Sequence, residues 1–116
     1  NINGSLKRFR DLVYIDDVVE ALVSLIKNRK HPNQIYNVGT GKKTTIKKLI
    51  KSIARIYKKE KKLKISISNP TPGDILGCYA DIKKISKHLK FKPKTNLQKG
   101  LKLFSQWAEK NYYSNK

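Results

Sequence analysis

Between Ile46 and Tyr57 the apolar residues Ile46, Leu49, Ile50, Ile53, Ala54 and Tyr57 fall at i, i+3, i+4, i+7, i+8 and i+11. That is the period of one helix face, and such a stripe is stable only when another element covers it. Thr44 or Thr45 stands where the helix needs an N-cap. Upstream, Leu12–Ile15 is apolar and β-prone and is read as a strand. Asp17 with Glu20 three residues on reads as a capping box, after which Val18, Ala21, Leu22, Leu25 and Ile26 keep helical spacing to Lys27. The Asn28–Asn33 stretch, with Pro32, ends that helix, and Gln34–Val38 reads as a short strand closed by Gly39-Thr40-Gly41.

Beyond the central stripe, Leu63, Ile65 and Ile67 alternate with polar residues, as a half-buried strand does. Residues 69–77 hold two prolines and two glycines and form a loop. Asp81 caps a short helix carrying Ile82, Ile85 and Leu89. Thr95 and Gln98 form a capping box for a last helix with Leu97, Leu101, Phe104, Trp107 and Ala108 on one face, and the chain after Asn111 frays. The order strand–helix–strand–helix–strand–helix–helix makes this an α/β chain of short strands and four helices, with a layered sheet as the expected frame.

Composition removes several function classes. The 116 residues suit one domain, and no apolar run approaches the ~18–20 residues of a membrane span. The single cysteine, Cys78, allows no internal disulfide and suits a reducing, cytoplasmic setting. His31 and His88 lie in Lys-rich stretches and suggest no zinc or other metal site. The net charge of +19 invites a nucleic-acid reading, but lysine outnumbers arginine 23 to 4 and is spread over every segment, so no nucleic-acid partner is expected. The chain begins at Asn1 and runs straight toward a strand-like segment, which reads as the middle of a larger protein.

Three constellations could carry chemistry. The Gly39-Thr40-Gly41 turn sits before a helix N-terminus, where backbone N–H groups favour anions. It lacks the third glycine of a dinucleotide fingerprint and the ending of a P-loop. Arg10 precedes an apolar segment with Asp11 as its only evident local partner, and a guanidinium so held suits a phosphate. Pro72-Gly73-Asp74 offers a carboxylate on a loop, either closing an Asx turn or accepting hydrogen bonds from paired sugar hydroxyls. No catalytic set stands out. Tyr57, Tyr79 and Tyr112 each have a lysine four residues on, Lys61, Lys83 and Lys116, and the Asp81 cap falls between Tyr79 and Lys83.

Taken in order, Arg10-Asp11-Leu12-Val13-Tyr14-Ile15-Asp16-Asp17-Val18, Ile35-Tyr36-Asn37-Val38-Gly39-Thr40-Gly41, Pro72-Gly73-Asp74, Tyr79-Ala80-Asp81-Ile82 and Phe91-Lys92-Pro93-Lys94-Thr95-Asn96-Leu97 through Trp107 resemble the C-terminal part of the extended short-chain dehydrogenase/reductases. Those are the NAD-dependent nucleotide-sugar epimerases and dehydratases, and the closing blocks look most like UDP-sugar 4-epimerases. The resemblance implies that Arg10 grips the diphosphate, that Ile46 packs near the base and that Asp74 binds the ribose hydroxyls. Leu12 takes the place of a family Phe or Tyr flanking the site. Thr71 stands where many members carry a second phosphate-binding arginine, and its neutral hydrogen bond is roughly half as strong.

The family's Gly-rich NAD turn and its catalytic Tyr-x-x-x-Lys belong to the N-terminal part, outside the blocks matched here. The resemblance therefore implies a substrate-binding portion without the Rossmann core, with no catalytic or cofactor-binding residue of its own and inactive alone. NAD would belong to the full-length parent, which would oxidise the sugar at C4 and return hydride to the other face. Residues 1–40 would pack on the Rossmann domain and residues 41–116 would form the subdomain binding a UDP-linked nucleotide sugar. Left uncovered, the Asp17 helix would offer a homodimer surface. A fragment of a nucleotide-sugar 4,6-dehydratase and a basic nucleic-acid-binding module are the alternatives.

Overall fold

The computed structural model describes residues 1–28, 30–31 and 33–113; Arg29, Pro32 and the tail from Ser114 lie outside the described residues, as does the side chain of Tyr113. Among the described residues, four α-helices and four very short strands make up the frame: β1 (Ile2–Asn3), β2 (Phe9–Arg10), α1 (Ile15–Lys27), β3 (Thr44–Thr45), α2 (Ile46–Ile56), β4 (Ile67–Ser68), α3 (Lys83–Leu89) and α4 (Leu97–Ala108). A π-type turn, Glu109–Tyr113, continues α4 over part of the tail expected to fray.

The α/β class holds, but the layered sheet does not form. Strands of two residues cannot extend a common sheet, so β1 pairs with β4 in parallel and β2 with β3 antiparallel, as two separate ribbons. Leu12–Tyr14 is not a strand and α1 already begins at Ile15. Gln34–Val38 does not form a strand either; half-buried Tyr36 and Val38 instead pack against the core. Of the Leu63–Ile67 alternation only Ile67 enters a strand, and it is exposed.

Two predicted caps are replaced. Asp17 lies within α1, almost fully buried, and its carboxylate accepts the backbone N–H groups of Lys94 and Thr95, both at 3.0 Å. Those are the donors just before α4, so Asp17 ties α1 to α4's approach instead of starting its own helix. Glu20, the other half of that expected box, pairs with Lys94 at 2.5 Å. Asn96, not Thr95, caps α4 by accepting from Lys99 N–H, while Gln98 donates to Ser52 Oγ on α2. Thr45 caps α2 as read, accepting from Lys48 N–H, but Ile82, with no side-chain cap, stands at the N-cap of α3, and Asp81 one residue earlier accepts from Lys83 N–H.

The buried core is small. Ala21, Ile85 and Phe91 form it, with Tyr36, Val38, Ile82 and Leu89 packed around them. It draws on both sides of residue 40, so residues 1–40 and 41–116 share one core. The radius of gyration is 17.2 Å, where a compact chain of this length would have about 13 Å. Helix α1 is covered on one side only. Asp17, Val18, Ala21 and Leu25 face inward, yet Ile15, Val19, Leu22, Val23 and Ile26 are 40–80 % exposed on its outer side, and Ile35 nearby is 87 % exposed. Asp16, Glu20, Ser24 and Lys27 form a polar strip, but the apolar arc around the rest of the helix is wider than one neighbour covers and suits a second contact.

Candidate functional site

Strand β2 is the organising element. Phe9 pairs with Thr45 and Arg10 with Thr44. Ile46 N–H donates to Arg8 C=O and Lys47 N–H to Leu6 C=O, which sets the start of α2 against residues 6–10. On its other side Phe9 bridges Gly77, and Phe9 N–H donates to Leu76 C=O. A Cβ on Gly77 would lie 2.5 Å from Phe9 O, so only glycine permits this approach. The 69–77 loop is thereby drawn beside Arg8 and Arg10.

At that junction Asp74 meets two guanidinium groups. Arg10 Nη2 is 3.3 Å from Asp74 Oδ1, and Arg8 Nη1 makes a close ion pair with Asp74 Oδ2. The second Arg10 branch donates to Phe9 C=O at 2.8 Å. Arg10 is the more open of the two, its side chain 37 % exposed against 18 % for Arg8 and for Asp74. The Pro72–Asp74 turn is closed through the backbone, by Asp74 N–H on Thr71 C=O with Gly73 at φ +79°, and the Asp74 carboxylate makes no Asx turn. Two cations against one carboxylate leave the corner with a net positive charge and an exposed cationic face, an arrangement that attracts anions.

Asp11 does something different from the expected support of Arg10. Its carboxylate accepts Thr40 N–H at 2.9 Å, the Thr40 hydroxyl, Gly41 N–H at 2.9 Å and Ala80 N–H at 3.2 Å. The anion held by the Gly39-Thr40-Gly41 turn is thus a side chain of the same chain. Burial alone raises the Asp11 pKa, but the donors from Thr40, Ala80 and Gly41 outweigh it and hold the carboxyl below the usual 3.8. The backbone donors of this turn at Thr40 and Gly41 are thus already taken.

The five expected substrate-site residues separate spatially. Arg10 and Asp74 meet, and Thr71 supports Asp74 through its backbone carbonyl while itself exposed. Ile46, half-buried, adjoins them through the Arg8 backbone. Leu12 lies elsewhere, on the wall shared by two open clefts of about 460 Å³ each, one lysine-rich with Thr40, Lys43 and Lys48, the other apolar with Leu49, Leu97 and Phe104. Arg8 was not among the candidates. Its signal was its spacing: residues two apart on an extended segment share a side, so Arg8 and Arg10 could have been read as a pair.

Other groups take ordinary roles. Tyr79 lies beneath Lys43 Nζ at 4.8 Å, and the same ammonium covers Phe9 at 5.0 Å. His88 stacks on His31, ring centroids 4.1 Å apart, and its Nδ1 is 2.9 Å from Tyr36 OH. Desolvation with the charges of His31, Lys84 and Lys87 pushes the His88 pKa below 6.5. Among the described residues no group of three or more His, Cys, Asp or Glu could hold a metal ion, and no helix is long and apolar enough to cross a membrane.

Fold and sequence together define the class. The sequence model of the family described as GDP-mannose 4,6 dehydratase matches residues 1–104. The chain belongs to that family, within the NAD-dependent epimerase/dehydratases of the extended short-chain dehydrogenase/reductases. It is 34% identical over 101 residues to dTDP-4-dehydro-6-deoxyglucose reductase of Escherichia coli, covering 87% of this chain and 31% of the reductase. The crystal structure of UDP-glucose 4-epimerase from Thermotoga maritima with UDP-glucose superposes with a TM-score of 0.83 at 33% identity, over 94% of this chain and 34% of that one. UDP-glucuronic acid 4-epimerase from Bacillus cereus, in complex with UDP-glucuronic acid and NAD, gives a TM-score of 0.85 at 26% identity, over 96% and 35%. The chain thus spans about a third of the length of the relatives it matches.

Proposed function

We propose that this chain is the C-terminal, nucleotide-sugar-binding portion of an NAD-dependent sugar-nucleotide epimerase, most like those acting on UDP-sugars at C4. The observation that carries the proposal is the Arg10–Asp74 pair, brought together across 64 residues of sequence by β2 and the glycine-dependent Phe9–Gly77 bridge. Arg10 offers a half-open guanidinium to a diphosphate, and Asp74 offers carboxylate oxygens to ribose hydroxyls. Ile46 supplies an apolar wall beside them for the base. Thr71 brings no second charge, so the diphosphate rests on Arg10. Leu12 stands apart from this corner and contributes at the margin of the site. The T. maritima and B. cereus neighbours, solved with UDP-glucose and with UDP-glucuronic acid and NAD, support a nucleotide-sugar ligand.

Residues 1–40 are the face that meets the cofactor-bearing part of the whole enzyme, and residues 41–116 carry most of the nucleotide site. The uncovered outer side of α1 supports that division of labour. NAD is held by the rest of the enzyme; this portion binds and orients the sugar nucleotide and excludes water at its diphosphate. A 4,6-dehydratase is the second reading, favoured by the description of the matching family. The product separates the two, since an epimerase inverts a centre and a dehydratase releases water.

Calorimetric titration tests the binding claim. UDP binds the wild-type chain, and Arg10→Ala weakens binding about tenfold or more, as expected for the loss of a charged hydrogen-bond donor. An Arg10→Ala variant that folds and binds UDP as tightly as wild type would overturn the proposal.

A further inference from the structure

Asp74 sits on a loop that gives it little support of its own. Residues 69–76 are exposed, and one backbone hydrogen bond, Asp74 N–H to Thr71 C=O at 3.1 Å, closes the turn at Gly73. A carboxylate so mounted would swing between rotamers, yet both its oxygens are held. Arg8 is the reason. Its Nε donates to Ser5 C=O at 3.3 Å, its Nη2 to Asn3 C=O, and its Nη1 meets Asp74 Oδ2. Three nitrogens are committed to three separate partners, two of them backbone carbonyls of the β1 corner. The same corner is pinned by Gly4 N–H on Ser68 C=O, and a Cβ on Gly4 would lie 3.3 Å from Arg8 Cζ and 3.2 Å from Pro70 Cβ. The Arg8 guanidinium is thus packed into place, unlike that of Arg10.

We propose that Arg8 is a positioning residue for nucleotide recognition: it holds one oxygen of Asp74 so that the other oxygen and the Arg10 guanidinium stay presented to the ribose and the diphosphate. This rests on the reading of Arg10 and Asp74 given above. The division of the carboxylate carries it, with Oδ2 in a close ion pair to the fixed guanidinium and Oδ1 at 3.3 Å from the open one. The contact to the more open guanidinium, 37 % exposed, is the one a ligand displaces. Arg8 also neutralises Asp74, leaving the charge of Arg10 for a phosphate. Without Arg8, Asp74 would close on Arg10 with both oxygens, as carboxylate and guanidinium do when nothing else competes. Both recognition groups would then be consumed by each other.

The test is titration of UDP and 2′-deoxy-UDP into wild type, Arg8→Gln and Arg8→Lys, with circular dichroism to establish folding. Wild type prefers UDP. Arg8→Gln lowers UDP affinity about tenfold, the size of one charged hydrogen bond, and brings the UDP to 2′-deoxy-UDP ratio close to one. Lysine, with a single ammonium in place of a fork, holds Asp74 or the carbonyls but not both, so the ratio in Arg8→Lys falls between those of wild type and Arg8→Gln. If Arg8→Gln unfolds, the Arg8→Lys ratio decides alone. A folded variant that keeps the wild-type ratio overturns the role of Arg8 and leaves the nucleotide reading standing, provided Arg10→Ala still weakens binding. Failure of wild type to bind either nucleotide overturns the nucleotide reading, and the role of Arg8 with it.

Discussion

Aspartates of this chain act far from their neighbours in sequence. Asp11 and Asp17 both look local, one beside Arg10 and the other at a helix start. Each instead gathers backbone N–H groups from distant segments: Asp11 from residues 40, 41 and 80, Asp17 from residues 94 and 95. The sequence could not reveal this, because a cap and a long-range tie use the same side chain and differ only in which donors the fold delivers. Asp17→Ala leaves two N–H groups without their acceptor, and chemical denaturation should register a loss of about 2 kcal/mol. The lowered pKa of Asp11 means that the folded state favours its charged form. That stabilisation is complete above the ordinary value of 3.8 and is lost as pH falls through the lowered one. Asp11→Asn should therefore be less stable than wild type at neutral pH, with the gap narrowing below pH 4. A gap that stays constant across that range would contradict the assignment.

At the scale of elements, helices were legible and strands were not. The stripe from Ile46 to Tyr57 became α2 almost residue for residue, because a long run of correctly spaced apolar side chains has few alternatives. Leu12–Ile15 and Gln34–Val38 carry β-prone residues but had no ladder to join, and strand identity is settled by partners. Helix α1 was foreseen, but not that its apolar residues would occupy both sides. Leu22 and Ile26, 53 % and 80 % exposed, stand on the outer one. Leu22→Lys with Ile26→Lys should leave thermal stability nearly unchanged, within about 0.5 kcal/mol per substitution. If the proposed docking of this face on a cofactor-bearing part holds, the same pair should abolish that association and any self-association seen by sedimentation. A large loss of stability would instead mark this side of α1 as part of the chain's own core.

The whole molecule is elongated, with a radius of gyration of 17.2 Å, a core of a few residues and an outer apolar helix face. Such a body makes sense as a section of something larger, and the relatives it matches are about three times as long. The candidate site was half visible in the sequence. Arg10 and Asp74 stand out in the sequence, but their meeting depends on the Phe9–Gly77 bridge, and a lysine-rich surface disguises Arg8 as one more solvated cation. The charge of +19 is spread over every segment, while Arg8 and Arg10 converge on the single carboxylate of Asp74. The most direct measurement is an amide NMR titration of the chain with UDP. Nucleotide recognition at this corner predicts saturable shifts confined to residues 8–12, the start of α2 at Ile46 and residues 71–77. Shifts spread over Lys58–Lys64 and the other exposed lysines, vanishing with added salt, would contradict it.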